Sequence, residues 1–243
     1  MKNLKLKVGH LYGDSMNTYG DNGNILVLKK RCEWRGIEVK VVNIPIEYKI
    51  KPKEFDLFFF GGGQDKSQIN VSKDLTGPNK GKTLFKELDR GVPMLSICGG
   101  YQLLGEYYRP HKGAKLPGLG FLPILTNASF DRMIGNIIVS TQFGDLVGFE
   151  NHSGKTYLKK GANPLGTAEL GFGNNGEDKN EGCIYKNTIG CYMHGSLLPK
   201  NPHLADWLIR TALEVKYKED VVLDPLNDAI EEEAHKQTLS LLR

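Results

Sequence analysis

Cys98 closes an apolar, strand-like run, Met94-Leu95-Ser96-Ile97, and is followed by Gly99-Gly100 and the helix-like start Tyr101-Gln102-Leu103-Leu104. A thiol on a sharp strand-to-helix turn has the geometry of a nucleophile elbow, and a helix start favours the thiolate. The two glycines clear the approach to the sulfur, and backbone N–H groups of such a turn can stabilise an oxyanion. A free cysteine is more often a buried structural residue; the flanking glycines and Gln102 favour the nucleophile here. Such a thiol needs a base. His194 follows the strand-like stretch 188–193 and precedes Gly195-Ser196, a position from which an imidazole can face a cleft. His10 in the first strand, His111 in a Pro/Gly loop, and His203 and His235 on helical stretches are weaker candidates.

Three further clusters have chemical potential. Gly61-Gly62-Gly63 ends the run Phe55-Asp56-Leu57-Phe58-Phe59-Phe60 and marks a second place where backbone can approach a ligand. Glu150 and His152, two apart on a strand, share a face, yet they offer too few donors for a metal, so a structural role is expected and no metal site is predicted. Asp14, Asp21, Asn22, Gly23 and Asn24 crowd one turn. Their spacing fits neither a P-loop nor an EF-hand, and a capped turn into the first helix is the expectation.

These residues need a scaffold to position them. Residues 4–11 alternate as a strand, 22–34 form a helix ending near Gly36, and 37–44 a second strand. The apolar run 55–60, a helix at 80–89 closed by Gly91, a strand at 92–97 and a helix over 101–107 continue the alternation. Strand–helix alternation with apolar strands predicts an α/β fold, a mostly parallel central sheet flanked by helices on both faces. Ligands of such sheets lie at the carboxyl ends of the strands, where both glycine turns fall. Residues 118–192 read as strands at 118–125, 134–141, 146–150, 165–172, 182–185 and 188–193, with a mobile Gly/Asn-rich loop at 171–182. A helix is expected at 201–217, with Trp207 and, earlier, Trp34 in the core. After the acidic turn at Glu219 and the Asp224-Pro225 break, another helix is expected past Asn227. The whole, 1–243, reads as a single domain with a helical tail at 219–243.

Composition narrows the function. The 243 residues carry 32 Lys+Arg against 28 Asp+Glu, a net +4 without a dense basic block; neither a nucleic-acid surface nor direct membrane insertion is expected. No run approaches the ~18 apolar residues of a membrane span, and the Lys-rich start lacks a signal-peptide apolar region. The four cysteines form no CxxC pair, which fits a reducing cytoplasm.

Taken together the motifs carry a resemblance. Cys98-Gly99-Gly100-Tyr101-Gln102 resembles the C-x-G-x-Q nucleophile turn of class I glutamine amidotransferases, and Gly61-Gly62-Gly63-Gln64-Asp65 resembles their oxyanion strand. Gly148-Phe149-Glu150-Asn151-His152-Ser153-Gly154-Lys155-Thr156 is similar to the G-[YF]-E-x-H-x-G-x-T stretch of the cobyric-acid-synthase-like (CobB/CobQ) branch, and Tyr192-Met193-His194-Gly195 to its Y-x-H-G. The opening stretch 11–24 is most similar to GatD-type glutaminase subunits of lipid II isoglutaminyl synthases.

The resemblance implies a flavodoxin-like fold and hydrolysis of L-glutamine through a thioester on Cys98. It implies an oxyanion held by Gly62, Gly63 and Gly99, His194 as general acid and base, and a substrate contact from Gln102. Arg132 would bind the substrate α-carboxylate, as GatD-like chains use an arginine here. It also implies no cofactor in this chain, and a Mur-ligase-like (MurT-like) synthetase partner that binds ATP and Mg²⁺ and uses the ammonia on D-glutamate of the peptidoglycan stem. No GxxxxGK[ST] sequence is present, consistent with ATP chemistry elsewhere. One position departs: Ser196 stands where many class I enzymes carry an acid two residues after the histidine. The orienting carboxylate must then come from elsewhere in the chain or from a partner, and the partner is the expectation. The rival readings are an amidotransferase for a corrinoid-type acceptor, a free glutaminase, and a non-catalytic binding module.

Overall fold

Alternate side chains of the run Leu57-Phe58-Phe59-Phe60 pack into two different cores: Leu57 and Phe59 into one, Phe58 and Phe60 into the other. A strand buried on both faces must lie inside a sheet covered on both sides, and the computed structural model, which describes residues 4–78 and 80–243, has that arrangement. In chain order the elements are β1 (Lys5–Leu11), α1 (Asn22–Trp34), β2 (Glu38–Ile44), β3 (Leu57–Phe60), α2 (Asp65–Leu75), α3 (Lys80–Asp89), β4 (Met94–Ile97), α4 (Gly99–Leu104) and β5 (Tyr107–Arg109). There follow β6 (Leu116–Pro117), β7 (Ile124–Thr141), β8 (Gly144–Leu158), β9 (Gly166–Leu170), β10 (Asn180–Glu181), β11 (Cys183–Tyr185), β12 (Thr188–Cys191), β13 (Met193–His194), α5 (Pro202–Tyr217) and α6 (Ala229–Leu242).

The central sheet runs β11-β12-β4-β3-β1-β2. It is parallel throughout except for β11, which returns antiparallel beside β12. Leu28 and Cys32 of α1 and Leu204, Leu208 and Ala212 of α5 cover one face; Val71 and Leu75 of α2, Leu84 and Leu88 of α3, and Leu103 of α4 cover the other. The carboxyl ends of β1, β3, β4 and β12 lead into residues 12–21, Gly61–Gly63, Cys98 and residues 192–194, so the order of strands alone gathers the candidate residues on one edge. A second sheet, β10-β9-β7-β5-β6, is built on the long antiparallel β7–β8 hairpin, and β13 pairs with β8. That pairing sets His194 opposite Phe149 and joins the two sheets beside Cys98.

Several expectations are corrected. Residues 118–122 are not a strand: their N–H groups donate to the carbonyls of Leu103, Leu104, Gly105 and Glu106, closing the open C-terminal end of α4,. α2 is a helix whose apolar stripe is masked by polar members, since Gln68 and Ser72 are buried beside Val71 and Leu75. The helix expected over 101–107 spans only Gly99–Leu104, and Tyr107 already lies in β5. Trp34 is 60% exposed rather than in the core. The loop at 171–182 is pinned instead of mobile: the Phe172 and Gly173 N–H groups donate to Glu150, and the buried Asn174 exchanges hydrogen bonds with Gly182.

The C-terminal segment is tied in by a buried cation. Arg31, 2% exposed, donates to Asp206 of α5 at 2.6 and 2.7 Å and to Asp228, just before α6, at 2.6 and 2.8 Å. Removing one partner of a buried ion cluster leaves uncompensated charge. Arg31→Ala is therefore expected to lower stability by about 3 kcal/mol, read in urea unfolding as a lower midpoint at unchanged slope.

Candidate active site

Cys98 stands between β4 and α4 with φ 48° and ψ −107°. Positive φ in a non-glycine residue costs about 1–3 kcal/mol and persists only where neighbours over-determine it. Here the Cys98 N–H donates to Cys191 O at 2.8 Å, and its carbonyl accepts from Gln102 N–H at 2.9 Å. The turn presents the thiol to a cavity of about 460 Å³ whose lining includes Thr18, Gln68, Gln102, Arg132, Asn151 and Ser153.

His194 is buried beside the thiol. Its Nδ1 lies 3.2 Å from Asp21 Oδ1, and the other carboxylate oxygen accepts the Gly62 N–H at 2.6 Å. Burial opposes a charge on His194, but the Cys98 sulfur and the Asp21 carboxylate outweigh it and push the imidazole up to about 10. A protonated imidazole is thereby held between a sulfur and a carboxylate, the arrangement that activates a cysteine nucleophile.

Asp21 corrects two expectations. It does not cap α1: the helix's first N–H, on Asn22, is taken by Asn17 Oδ1 at 2.8 Å, and the Asp21 side chain turns inward, fully buried. Nor is a partner needed for the carboxylate, because this chain supplies it. The capping pattern hid the residue, since Asp before a helix is ordinary cap chemistry; its place in the conspicuous stretch 11–24 was the available signal.

Gly62 is likewise corrected as an oxyanion donor, because its N–H is committed to Asp21. Gly63 and Gly99 remain together: a Cβ on Gly99 would lie 2.9 Å from Gly63 N and 2.5 Å from Gln68 Nε2, so nothing larger than glycine fits there. Gln102 is 4% exposed and fully engaged, accepting from Gln68 Nε2 at 3.0 Å and donating to the Tyr192 hydroxyl at 3.0 Å. Because Gln68 Nε2 also faces the Gly63 carbonyl at 3.3 Å, the orientation of both amides follows from that acceptor. The Tyr192 hydroxyl continues to Thr156 at 2.6 Å, and Thr156 to Thr126 at 2.7 Å. This buried network beneath the cavity was not legible in the sequence: Gln102, Tyr192 and Thr156 fall in conspicuous motifs, but Gln68 and Thr126 do not, and nothing local links the five.

Arg132, where the β7–β8 register shifts, lines the cavity and donates through Nε to Asn151 Oδ1 at 2.8 Å. His152 also lines it, stacked on Tyr192 with ring centroids 3.6 Å apart, its Nδ1 on the Gly154 carbonyl at 2.9 Å. Glu150 accepts from Phe172 and Gly173, so Glu150 anchors the 171–182 loop. Among the described residues no group of three or more His, Cys, Asp or Glu could hold a metal, and no helix is long and apolar enough to cross a membrane.

An elbow cysteine, an adjacent histidine and a buried carboxylate thus stand together at the carboxyl edge of a parallel sheet, and the chain matches the CobB/CobQ-like glutamine amidotransferase domain over residues 7–202. It belongs to that family. Within it, the chain is 45% identical over 214 residues to the lipid II isoglutaminyl synthase (glutamine-hydrolyzing) subunit GatD of Staphylococcus aureus, covering 87% of this chain and 86% of the relative. It is 41% identical over 232 residues to the Streptococcus pneumoniae GatD subunit, covering 94% and 88%. A probable cobyric acid synthase of Methanothermobacter thermautotrophicus is 33% identical over 126 residues, 46% of this chain and 25% of that protein. A glutamine amidotransferase from Thermotoga maritima shares the fold, with a TM-score of 0.55 at 16% identity over 98% of this chain and 93% of that one.

Proposed function

We propose that this chain is the glutaminase subunit of a two-part lipid II isoglutaminyl synthase, acting in the cytoplasm. The observation that carries the chemistry is the placement of His194 between the Cys98 sulfur and the Asp21 carboxylate; the similarity to the two GatD subunits along most of the chain supports the acceptor.

In this reading the Cys98 thiolate attacks the side-chain carboxamide carbon of L-glutamine, and the carbonyl electrons move onto oxygen. The Gly63 and Gly99 N–H groups meet that oxyanion. His194 gives its proton to the leaving nitrogen, ammonia departs, and a γ-glutamyl thioester remains on Cys98. His194 then takes a proton from water as it attacks the thioester, releasing glutamate and restoring the thiolate–imidazolium pair. Arg132 receives the substrate α-carboxylate with paired hydrogen bonds, and Gln102 holds the cavity floor. Ammonia passes to a Mur-ligase-like partner, MurT-like in kind, which binds ATP and Mg²⁺ and activates the D-glutamate carboxyl of the stem peptide.

Arg132→Ala is expected to raise KM for glutamine about 30-fold with a smaller change in kcat, the signature of lost substrate binding; initial rates against glutamine concentration check it. The function is tested with the chain co-purified with a Mur-ligase-like partner, ATP, Mg²⁺, glutamine and lipid II. Formation of D-isoglutamine in the stem peptide is expected, and it should stop in Cys98→Ala but resume with added ammonium. Amidation driven by ammonium but never by glutamine would overturn the assignment.

A further inference from the structure

The carboxylate that orients His194 comes from a turn 173 positions earlier in the sequence. Two hydrogen bonds join that turn and the start of α1 behind it to the segment just after His194. Ser196 Oγ donates to the Gly20 carbonyl at 2.6 Å, and the Leu198 N–H donates to Oδ1 of the buried Asn24 at 2.9 Å. Gly20 immediately precedes Asp21. Ser196 itself has φ 47°, and its hydroxyl is seated over Gly23: a Cβ there would fall 2.1 Å from Ser196 Oγ and 2.8 Å from Ser196 Cβ. On its other side the turn is held by Thr18, whose N–H and hydroxyl both donate to the Gly62 carbonyl at 3.1 Å.

From this geometry we infer that Ser196 is a positioning residue for the hydrolytic site: its hydroxyl, fitted over Gly23, bolts the Asp21 turn to the His194 loop and holds the Asp21 carboxylate on the imidazole. The inference rests on the reading of Cys98 and His194 as a glutamine-hydrolysing pair. It also explains the missing acid after the histidine. At position 196 the side chain is directed at a carbonyl oxygen, so a hydroxyl can donate where a carboxylate would be repelled and could not. The acid and the residue two after the histidine have divided the task, one supplying charge and the other the clamp. Gly23 is part of the device, since any side chain at 23 would displace the hydroxyl.

Two measurements on the intact chain test this. In the first, Ser196→Ala is made in the wild type and in Asp21→Asn. The single change is expected to lower kcat for ammonia release about tenfold with KM for glutamine within about twofold, and to add less than about twofold in the Asp21→Asn background, because residues acting through one another are non-additive. Gly23→Ala should reproduce the Ser196→Ala phenotype. An equal loss in both backgrounds would overturn the inference. In the second, His194 is titrated by NMR with labelled imidazole. The groups facing it are Cys98 at the elbow, Asp21 on the turn and Glu181 on β10. Ser196→Ala is expected to let His194 lose its proton at lower pH than in the wild type, with no further shift when Asp21 is already Asn. An unmoved titration would overturn the inference. The titration needs no turnover, so it decides the matter even if the wild-type chain releases no ammonia, an outcome that would count against the functional reading instead.

Discussion

Cys98→Ala is expected to abolish ammonia release from L-glutamine, by at least about 10⁴-fold, the scale on which removal of a covalent nucleophile acts. No other cysteine can take over. Cys191, in the adjacent strand, is fully buried and burial pushes its thiol up; Cys183 and Cys32 are likewise buried and pushed up to about 12. The substitution also relieves nothing that folding requires, since the elbow's hydrogen bonds to Cys191 and Gln102 are made by backbone. Alanine tolerates φ 48° no worse than cysteine does, so the fold should persist while the chemistry is lost. Glutamine should still bind, because Arg132 and the cavity wall are untouched. A coupled ammonia assay with isothermal titration of glutamine into the variant checks both halves; turnover above about 1% of wild type would exclude Cys98 as nucleophile.

Asp21→Asn is expected to lower kcat about 10²-fold and to narrow the pH range of activity from its alkaline side. The carboxylate does two things at once, holding His194 Nδ1 through one oxygen and the Gly62 N–H through the other. A carboxamide can offer an acceptor to only one of them. The cost is set below the ~10⁴-fold seen when a triad aspartate becomes asparagine in a serine hydrolase, because a thiol ionises without a fully aligned base. The sign of the pH effect follows from the charge on His194. The imidazole is raised to about 10 by the Cys98 sulfur and Asp21 against the penalty of burial. The working ion pair needs that proton, so activity falls as pH rises through about 10 in the wild type. Without the Asp21 charge the proton leaves earlier, and the alkaline limb moves to lower pH. The same linkage makes the pair's contribution to stability complete below the ordinary histidine pKa of ~6.5 and lost as pH climbs through the raised value. The pH profile of kcat/KM for both proteins checks the prediction; an unmoved alkaline limb would show that Asp21 does not act on His194.

The two substitutions together separate the nucleophile from its alignment. Loss at Cys98 should be insensitive to pH and to the partner, whereas loss at Asp21 should vary with pH. A synthetase partner that corrected the position of His194 would restore part of the Asp21→Asn activity, but none of the Cys98→Ala activity.

The elbow was legible in the sequence because its parts are contiguous. An apolar four-residue strand, a cysteine and two glycines need no knowledge of the rest of the chain to imply a strained turn with exposed sulfur. The parallel core was legible for a similar reason: strands such as 57–60 are apolar at every position, which only burial on both faces explains. α2 was not, because Gln68 and Ser72 take buried places beside Val71 and Leu75 and thin out its apolar stripe,. Residues 118–122 misled because they satisfy their backbone on the end of α4, an arrangement that looks extended in sequence.

What the sequence by itself determined was therefore local: the elbow, the histidine at the end of a strand, the alternation that builds the sheet, and family membership through ordered motifs. What only the tertiary structure decided was which distant groups meet. The strand order places residues 12–21, 61–63, 98 and 192–194 on one edge, and that order is a matter of packing between segments rather than of any one segment's residues. Asp21 lies at a helix start, where its type already has an ordinary local use, so nothing in its neighbourhood announces that the carboxylate turns inward. Its task depends on Asn17 taking over the helix end and on a hydroxyl far along the chain holding the turn in place. Hydrogen bonds are short-ranged and directional, and the ones that align this site join residues that the chain separates by most of its length.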